Sequence, residues 1–281
     1  MKLTRRGLIT AAGAALALPV ALHAKAQVRF GVCDWNLRKA ADVTALDLAA
    51  SIGFEGVEVS LGRNVDSGKL PLDDPAKIAA YREKAAATKL VLTSTCLDVL
   101  HRHFMKSDPL GLKYTADAIR VTKALGAGLI LLPYFGKGAL TNRDEMARVA
   151  DMLKEVLPDA ERANVVLALE NTISAEDNAF MIDRAGSSHL KMYYDVGNST
   201  NNGFDVVKEI RWLGTAKIGQ IHFKDRPYLG EGKVPFPAVA EAMHAIGYKG
   251  FVDLETGAPS GDIAADMARN LAYSRKLLGA G

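Results

Sequence analysis

Eight apolar runs of strand length alternate with eight amphipathic stretches of helix length along residues 27–281. The runs lie at 28–33, 56–60, 90–95, 128–132, 165–170, 190–195, 217–222 and 250–255. Several, such as Leu129-Ile130-Leu131-Leu132, are continuously apolar instead of alternating, the pattern of strands buried on both faces in a parallel sheet. The helical stretches are expected at 43–52, 75–88, 110–125, 143–162, 175–185, 204–213, 236–246 and 262–278. Five of them run into Gly53, Gly126, Gly186, Gly214 or Gly247, where a left-handed C-cap is expected. Eight β–α units in about 255 residues match a closed (β/α)₈ TIM barrel, which takes roughly 250. A doubly wound open sheet is the competing architecture, but no GxGxxG turn follows the first run. No linker or low-complexity tract divides the chain, so 27–281 is expected to form one domain.

The first 26 residues read as an address. Lys2, Arg5 and Arg6 precede an apolar stretch rich in Ala and Gly, and Ala24-Lys25-Ala26 offers small residues for a signal peptidase. Thr4-Arg5-Arg6-Gly7-Leu8 matches a twin-arginine signal, predicting the twin-arginine (Tat) export machinery as a partner and a periplasmic or secreted protein. After cleavage no stable membrane association is expected. The chain carries 35 basic and 32 acidic residues, a net charge of +3. Lys2, Arg5, Arg6 and Lys25 account for that excess, and the remainder is balanced to within one charge. Bulk electrostatics therefore give no reason to expect nucleic-acid binding. The two cysteines, Cys33 and Cys96, are far apart and are expected to be buried thiols, neither a CxxC pair nor a disulfide.

In a barrel of this kind chemistry sits at the C-terminal ends of the strands. Four consecutive runs end in Glu170, Asp195, His222 and Glu255, separated by 25, 27 and 33 residues, about one β–α unit each. Three carboxylates converging on one mouth repel one another and desolvate poorly unless a cation neutralises them. A set of hard oxygens with one nitrogen points to a single divalent metal, Mn²⁺ foremost, with Mg²⁺, Co²⁺, Fe²⁺ and Zn²⁺ as the alternatives.

The segments Ser94-Thr95-Cys96-Leu97 with His101-Arg102, LALEN, YYDVGN, IHFKD, Gly230-Glu231-Gly232 and VDLET carry a resemblance. Together they resemble the xylose isomerase-like TIM-barrel superfamily of sugar isomerases and epimerases, with L-ribulose-5-phosphate 3-epimerases and hexulose-phosphate isomerases as the most similar branch. The resemblance covers the chain beyond residue 26. It implies that Glu170, Asp195, His222 and Glu255 bind the metal and that Glu170 and Glu255 are the catalytic acid/base pair. The implied reaction is proton abstraction next to a carbonyl, through an enediolate, in an isomerase or epimerase. Where some relatives carry Asp-x-x-His after the sixth strand, this chain has Asn198, able to donate to a sugar hydroxyl. The multi-metal set of endonuclease IV needs further histidines, and of six here His23 is in the leader while His189 and His244 fall away from strand ends.

His101, Glu58, Lys224, Trp35, Asn198 and Glu231 are the candidate substrate contacts. Sugar phosphates are largely cytoplasmic, so an exported member is expected to act on an unphosphorylated keto sugar. Two other readings share these residues: a 3-keto-glycoside lyase working by β-elimination, and a sugar-binding protein without turnover. The second predicts a degraded ligand set, and all four ligands are intact.

Overall fold

The computed structural model describes residues 28–65 and 68–279. The expected export signal, 1–26, lies outside the described residues. The chain begins β1 (Arg29–Cys33), α1 (Ala45–Ile52), β2 (Gly56–Ser60), α2 (Pro75–Thr88), β3 (Val91–Cys96). It continues α3 (Leu110–Leu125), β4 (Leu129–Pro133), α4 (Arg143–Ala163), β5 (Val166–Glu170), α5 (Ala175–Ala185), β6 (Leu190–Asp195). A short α6 (Val196–Asn201) precedes α7 (Val206–Lys217), β7 (Ile218–Phe223), α8 (Phe236–Ala245), β8 (Phe251–Leu254) and α9 (Ile263–Leu278). The eight strands are parallel and close in chain order, β8 pairing with β1. This is the single-domain (β/α)₈ barrel that the alternation predicts.

Local signals explain where the helices start and stop. Asp74, Asn142, Ser174, Asp205 and Asp262 each accept a backbone N–H of the following helix, which removes one of its unpaired donors. Gly53, Gly126, Gly186 and Gly279 close helices in the left-handed region, while Lys89 and Asn164 do so without being glycine. The stretch expected to end at Gly214 continues to Lys217, but Gly214 itself leaves helical geometry (φ 57°, ψ −174°). The break therefore falls where the sequence puts it. No helix among the described residues is long and apolar enough to cross a membrane.

Most apolar side chains pack between the strands and the helical ring. The barrel interior is divided. On the β4–β5 side it holds Leu129, Leu131 and Ala168. Tyr193 packs with these three and also joins a buried polar layer with Thr93, Gln220 and Asp253. Gly31, in register with Asp253, makes room for it: a Cβ there would lie 1.7 Å from Asp253 Oδ1. An interior that is half polar needs every donor and acceptor accounted for, and that accounting leads to the barrel mouth.

Candidate active site

Glu170 and Asp195 are the last residues of β5 and β6, His222 is next to last in β7, and Glu255 directly follows β8. Asp195 and His222 are register partners across β6 and β7. Each of the four offers one ligand atom, and these atoms all lie within 4.8 Å of one another. From His222 Nδ1, Glu170 Oε1 is 3.3 Å away, Glu255 Oε2 3.6 Å and Asp195 Oδ2 4.0 Å.

The two oxygens of Asp195 have different partners. Oδ1 caps α6 by accepting the Asn198 N–H at 2.7 Å. Oδ2 is buried and accepts no hydrogen bond, with Lys224 Nζ 3.4 Å away. A buried carboxylate oxygen that accepts no hydrogen bond and has only a 3.4 Å ion pair, inside a ring of two further carboxylates and one imidazole nitrogen, is what a divalent cation would satisfy. The donor set therefore fits the expected metal.

His222 is fixed from behind. Its Nε2 donates to Glu58 Oε2 at 2.7 Å, both residues being fully buried, so Nδ1 is the nitrogen facing the carboxylates. Tyr193 Oη donates to the same Glu58 oxygen at 3.0 Å and stands 2.8 Å from Asp253 Oδ2. Cys33 Sγ lies 3.4 Å from Nε2 and 3.5 Å from Glu58, so Cys33, Glu58 and His222 also converge. A 2.7 Å separation is a hydrogen bond and leaves no room for an ion between nitrogen and oxygen. A carboxylate behind the imidazole is the usual way of orienting a metal-binding histidine.

Charge differs among these groups. Burial, reinforced by Glu255, raises Glu170 above the usual carboxyl range. Burial lifts Asp195 well above its ordinary value. For Glu255 burial pushes the same way but is outweighed by His222 and Lys224, which hold it at about 2. Lys224 Nζ donates to Glu255 Oε2 at 2.6 Å, and Trp35 Nε1 donates to Oε1 at 3.2 Å. Asn198 Nδ2 donates to Glu170 Oε1 at 3.2 Å.

Over this cluster opens a cavity of about 420 Å³, with Trp35, His101, Glu170, Asn198, Lys224 and Glu255 in its wall. Six residues singled out in the sequence thus share one surface. His101, on the turn after β3, stacks on Phe135 (centroids 6.3 Å apart, planes 24°). Burial, aided by Arg63, lowers its pKa, so it is neutral near pH 7. Two candidates lie elsewhere. Glu58 is beneath His222 instead of in the cavity wall, and Glu231 is exposed and paired with Arg269. Lys224 pairs with Glu255 and Asp195, whereas Asp225 accepts the Gly232 and Lys233 N–H groups. Cys33 and Cys96 are free and buried, as expected.

Arg63, Asp98, Ser60 and Phe135 also line the cavity without having been singled out. They sit in loops and strand ends where no spacing marks them. The interior layer below did have a signal. Tyr193, Gln220 and Asp253 each stand two residues before Asp195, His222 and Glu255, and side chains two apart on a strand share a face.

The family profile described as xylose isomerase-like TIM barrel matches residues 46–277. A 2-epi-5-epi-valiolone 7-phosphate 2-epimerase of Actinoplanes sp. is 26% identical over 204 residues, 71% of this chain and 73% of that protein. The L-ribulose-5-phosphate 3-epimerase of Escherichia coli is 29% identical over 251 residues, 80% of this chain and 85% of that one. The crystal structure of D-psicose 3-epimerase with D-tagatose from Clostridium cellulolyticum H10 superposes with a TM-score of 0.77 at 17% identity. That superposition covers 89% of this chain and 99% of the epimerase, and it bears on the fold. With most of its length matched by the profile, the chain belongs to the xylose isomerase-like TIM-barrel family.

Proposed function

We propose that this protein is a metal-dependent epimerase or isomerase that moves a proton at the carbon next to the carbonyl of an unphosphorylated keto sugar. The observation that carries this reading is the pair Glu170 and Glu255. They come from strands three apart in the ring, both face one cavity, and they have unlike partners, Asn198 for one and Lys224 with Trp35 for the other. Two carboxylates in different surroundings are what acid and base roles require. Glu170, Asp195, His222 Nδ1 and Glu255 would hold one divalent cation, with Mn²⁺ favoured by the ligand set. When bound, it supplies Lewis-acid polarisation of the sugar carbonyl.

The protein's own groups do the rest. One glutamate takes the proton from one face of the sugar, and the other returns a proton on the opposite face or at the neighbouring carbon. Lys224, with its ammonium held between Asp195 and Glu255, offers charge to a substrate oxygen at the cavity wall. Asn198, His101 and Trp35 offer, in turn, an amide, a neutral imidazole and an aromatic face to the ring.

The test is incubation of Mn²⁺-loaded protein in D₂O with a panel of ketoses and 3-keto-glycosides, read by NMR and mass spectrometry. The expected result is one deuterium next to the carbonyl without bond cleavage, with the rate falling roughly 10²–10⁴-fold or more in Glu170→Gln and Glu255→Gln. Release of an aglycone would replace this reading with β-elimination. No exchange with any sugar would remove it.

We further propose that residues 1–26 direct the chain through the twin-arginine route. The support is the Thr4–Leu8 motif and the small residues before Gln27.

A further inference from the structure

The four clustered ligands all come from β5 to β8, one half of the ring. The other half also reaches the cavity. In the closed barrel β2 and β3 stand opposite β6 and β7, and from there Ser60, at the end of β2, and Asp98, in the turn after β3, enter the cavity wall. Apolar surface separates the two halves. Around the ring, Leu131 and Pro133 of β4 lie between Asp98 and Glu170, and Trp35 and Ala41, after β1, lie between Glu255 and Ser60. The cavity is therefore polar at two opposed ends and apolar along its flanks, which matches a molecule with polar groups at both ends.

Asp98 is nearly buried and firmly held. It is 8% exposed, and Ser60 Oγ donates to its Oδ2 at 2.6 Å. Ser60 Oγ accepts in turn the Gly62 N–H at 3.2 Å, so its one proton is committed to Asp98. The backbone of Ser60 is fixed as well: its N–H and that of Ala41 both donate to Oδ2 of the buried Asp34, each at 3.0 Å. Asp98 Oδ1 accepts from no other residue among the described residues, and the side chain lines the cavity. Burial raises the Asp98 carboxyl, and the Ser60 hydroxyl and Arg63 oppose that rise. The N–H groups of Ala41, Ser60 and Gly62 are all committed inside the protein, so they form no nest for a phosphate. Arg63, also in the cavity wall, is exposed and makes no ion pair among the described residues.

We infer that Asp98, held by Ser60, is a specificity-determining residue that binds a hydroxyl at the end of the sugar remote from the carbonyl. This rests on the proposed function, which puts the carbonyl end over Glu170 and Glu255 and so directs the other end toward β2 and β3. It adds the residue that reads that end and the group it selects. A hydroxyl is favoured over a hydrogen, because a buried oxygen left without a partner is penalised. It is favoured over a phosphate, because a dianion would meet the Asp98 carboxyl with no cluster of backbone donors around it.

Isothermal titration of the Mn²⁺-loaded protein tests it with the D-2-ketohexoses fructose, psicose, sorbose and tagatose, each beside its 6-deoxy and 6-phosphate forms. At least one parent ketose is expected to bind roughly ten-fold more tightly than its 6-deoxy form, a difference of about 1.4 kcal/mol. It is also expected to outbind its 6-phosphate. The ratio of parent to 6-deoxy affinity should collapse to about one in Asp98→Ala and fall several-fold in Ser60→Ala, which keeps the carboxyl but removes its fixed donor. The inference is overturned if no ketohexose outbinds its 6-deoxy form. It is overturned if the ratio is unchanged in Asp98→Ala or, where that chain does not fold, in Ser60→Ala. It is overturned equally if a 6-phosphate binds most tightly and loses that advantage in Arg63→Ala, which would make this end an anion site. Deuterium exchange next to the carbonyl with no advantage for the 6-hydroxyl would remove this inference and leave the proposed function standing. Absence of exchange with every sugar would remove the proposed function, even beside a 6-hydroxyl advantage in binding.

Discussion

His222 is held through both ring nitrogens, and the residues behind it decide what the front can do. Glu58 takes Nε2, Tyr193 takes Glu58, and Asp253 stands against Tyr193, Thr93 and Gln220. Burial, and then the charge of Glu58, raise the Asp253 carboxyl to about 7. An unfolded Asp titrates near 3.9. A carboxyl whose folded pKa is raised contributes stability that is fully present below the unfolded value and is lost as pH rises through the folded one. Stability of the metal-free protein should therefore fall between about pH 4 and 7, and Asp253→Asn should flatten that slope, as read by urea denaturation across the range. A slope unchanged in the variant would assign the titration to another group. That Glu170, Asp195, His222 and Glu255 converge was legible because each stands at the end of an apolar run with a metal-competent side chain. Glu58 was legible as important but not in its role: a carboxylate at a strand end looks alike whether it faces a cavity or the back of a histidine. Only the closed barrel, which sets Glu58 of β2 against His222 of β7 across its interior, distinguishes the two.

At the scale of elements, α6 decides the geometry of Asp195. The helix is too short for periodicity to reveal, and its residues Val196–Asn201 fall between the expected strand at 190–195 and the expected helix at 204–213. It is defined instead by its cap, Asp195 Oδ1, and by close approach to β7, since a Cβ on Gly197 would sit 2.6 Å from the Lys224 carbonyl. A buried glutamate on α7 ties the region together. Glu209 accepts the Ala175 N–H at the start of α5, the Tyr194 hydroxyl from β6 and the Ser199 hydroxyl from α6. Glu209→Ala strands three donors and should lower stability by about 2–4 kcal/mol. It should also reduce metal affinity, because α6 carries the cap of Asp195. Denaturation and metal titration of the same variant check both. A loss below about 0.5 kcal/mol, the ordinary range for a surface change, would mean that the three bonds do not act together. The other helices were readable from caps and glycines, since both act within one turn. Lys89 carried no such mark, whereas Asn164 is of the one other residue type that commonly takes the left-handed cap.

For the whole molecule, the alternation of apolar runs with amphipathic stretches was enough to give eight units, and closure follows because β1 and β8 both need a partner. The half-polar interior was not legible as a layer, although counting back by two from each ligand reaches it. The excess of basic charge lies within residues 1–26. If these are the leader proposed above, mass spectrometry of protein recovered from outside the cytoplasm should find an N-terminus at Gln27; a chain still beginning at Met1 would contradict the proposed address. What the barrel achieves as one object is to bring four strand ends, distant in sequence, to a single point. The most direct test of that claim is calorimetric titration of Mn²⁺ into the metal-free protein. One equivalent should bind to the wild type and none to Asp195→Asn. Glu58→Leu should keep the one-to-one stoichiometry with affinity about 10–100-fold weaker, as expected for loss of a group that orients a ligand. Zero or two equivalents in the wild type, or wild-type binding by Asp195→Asn, would contradict the account.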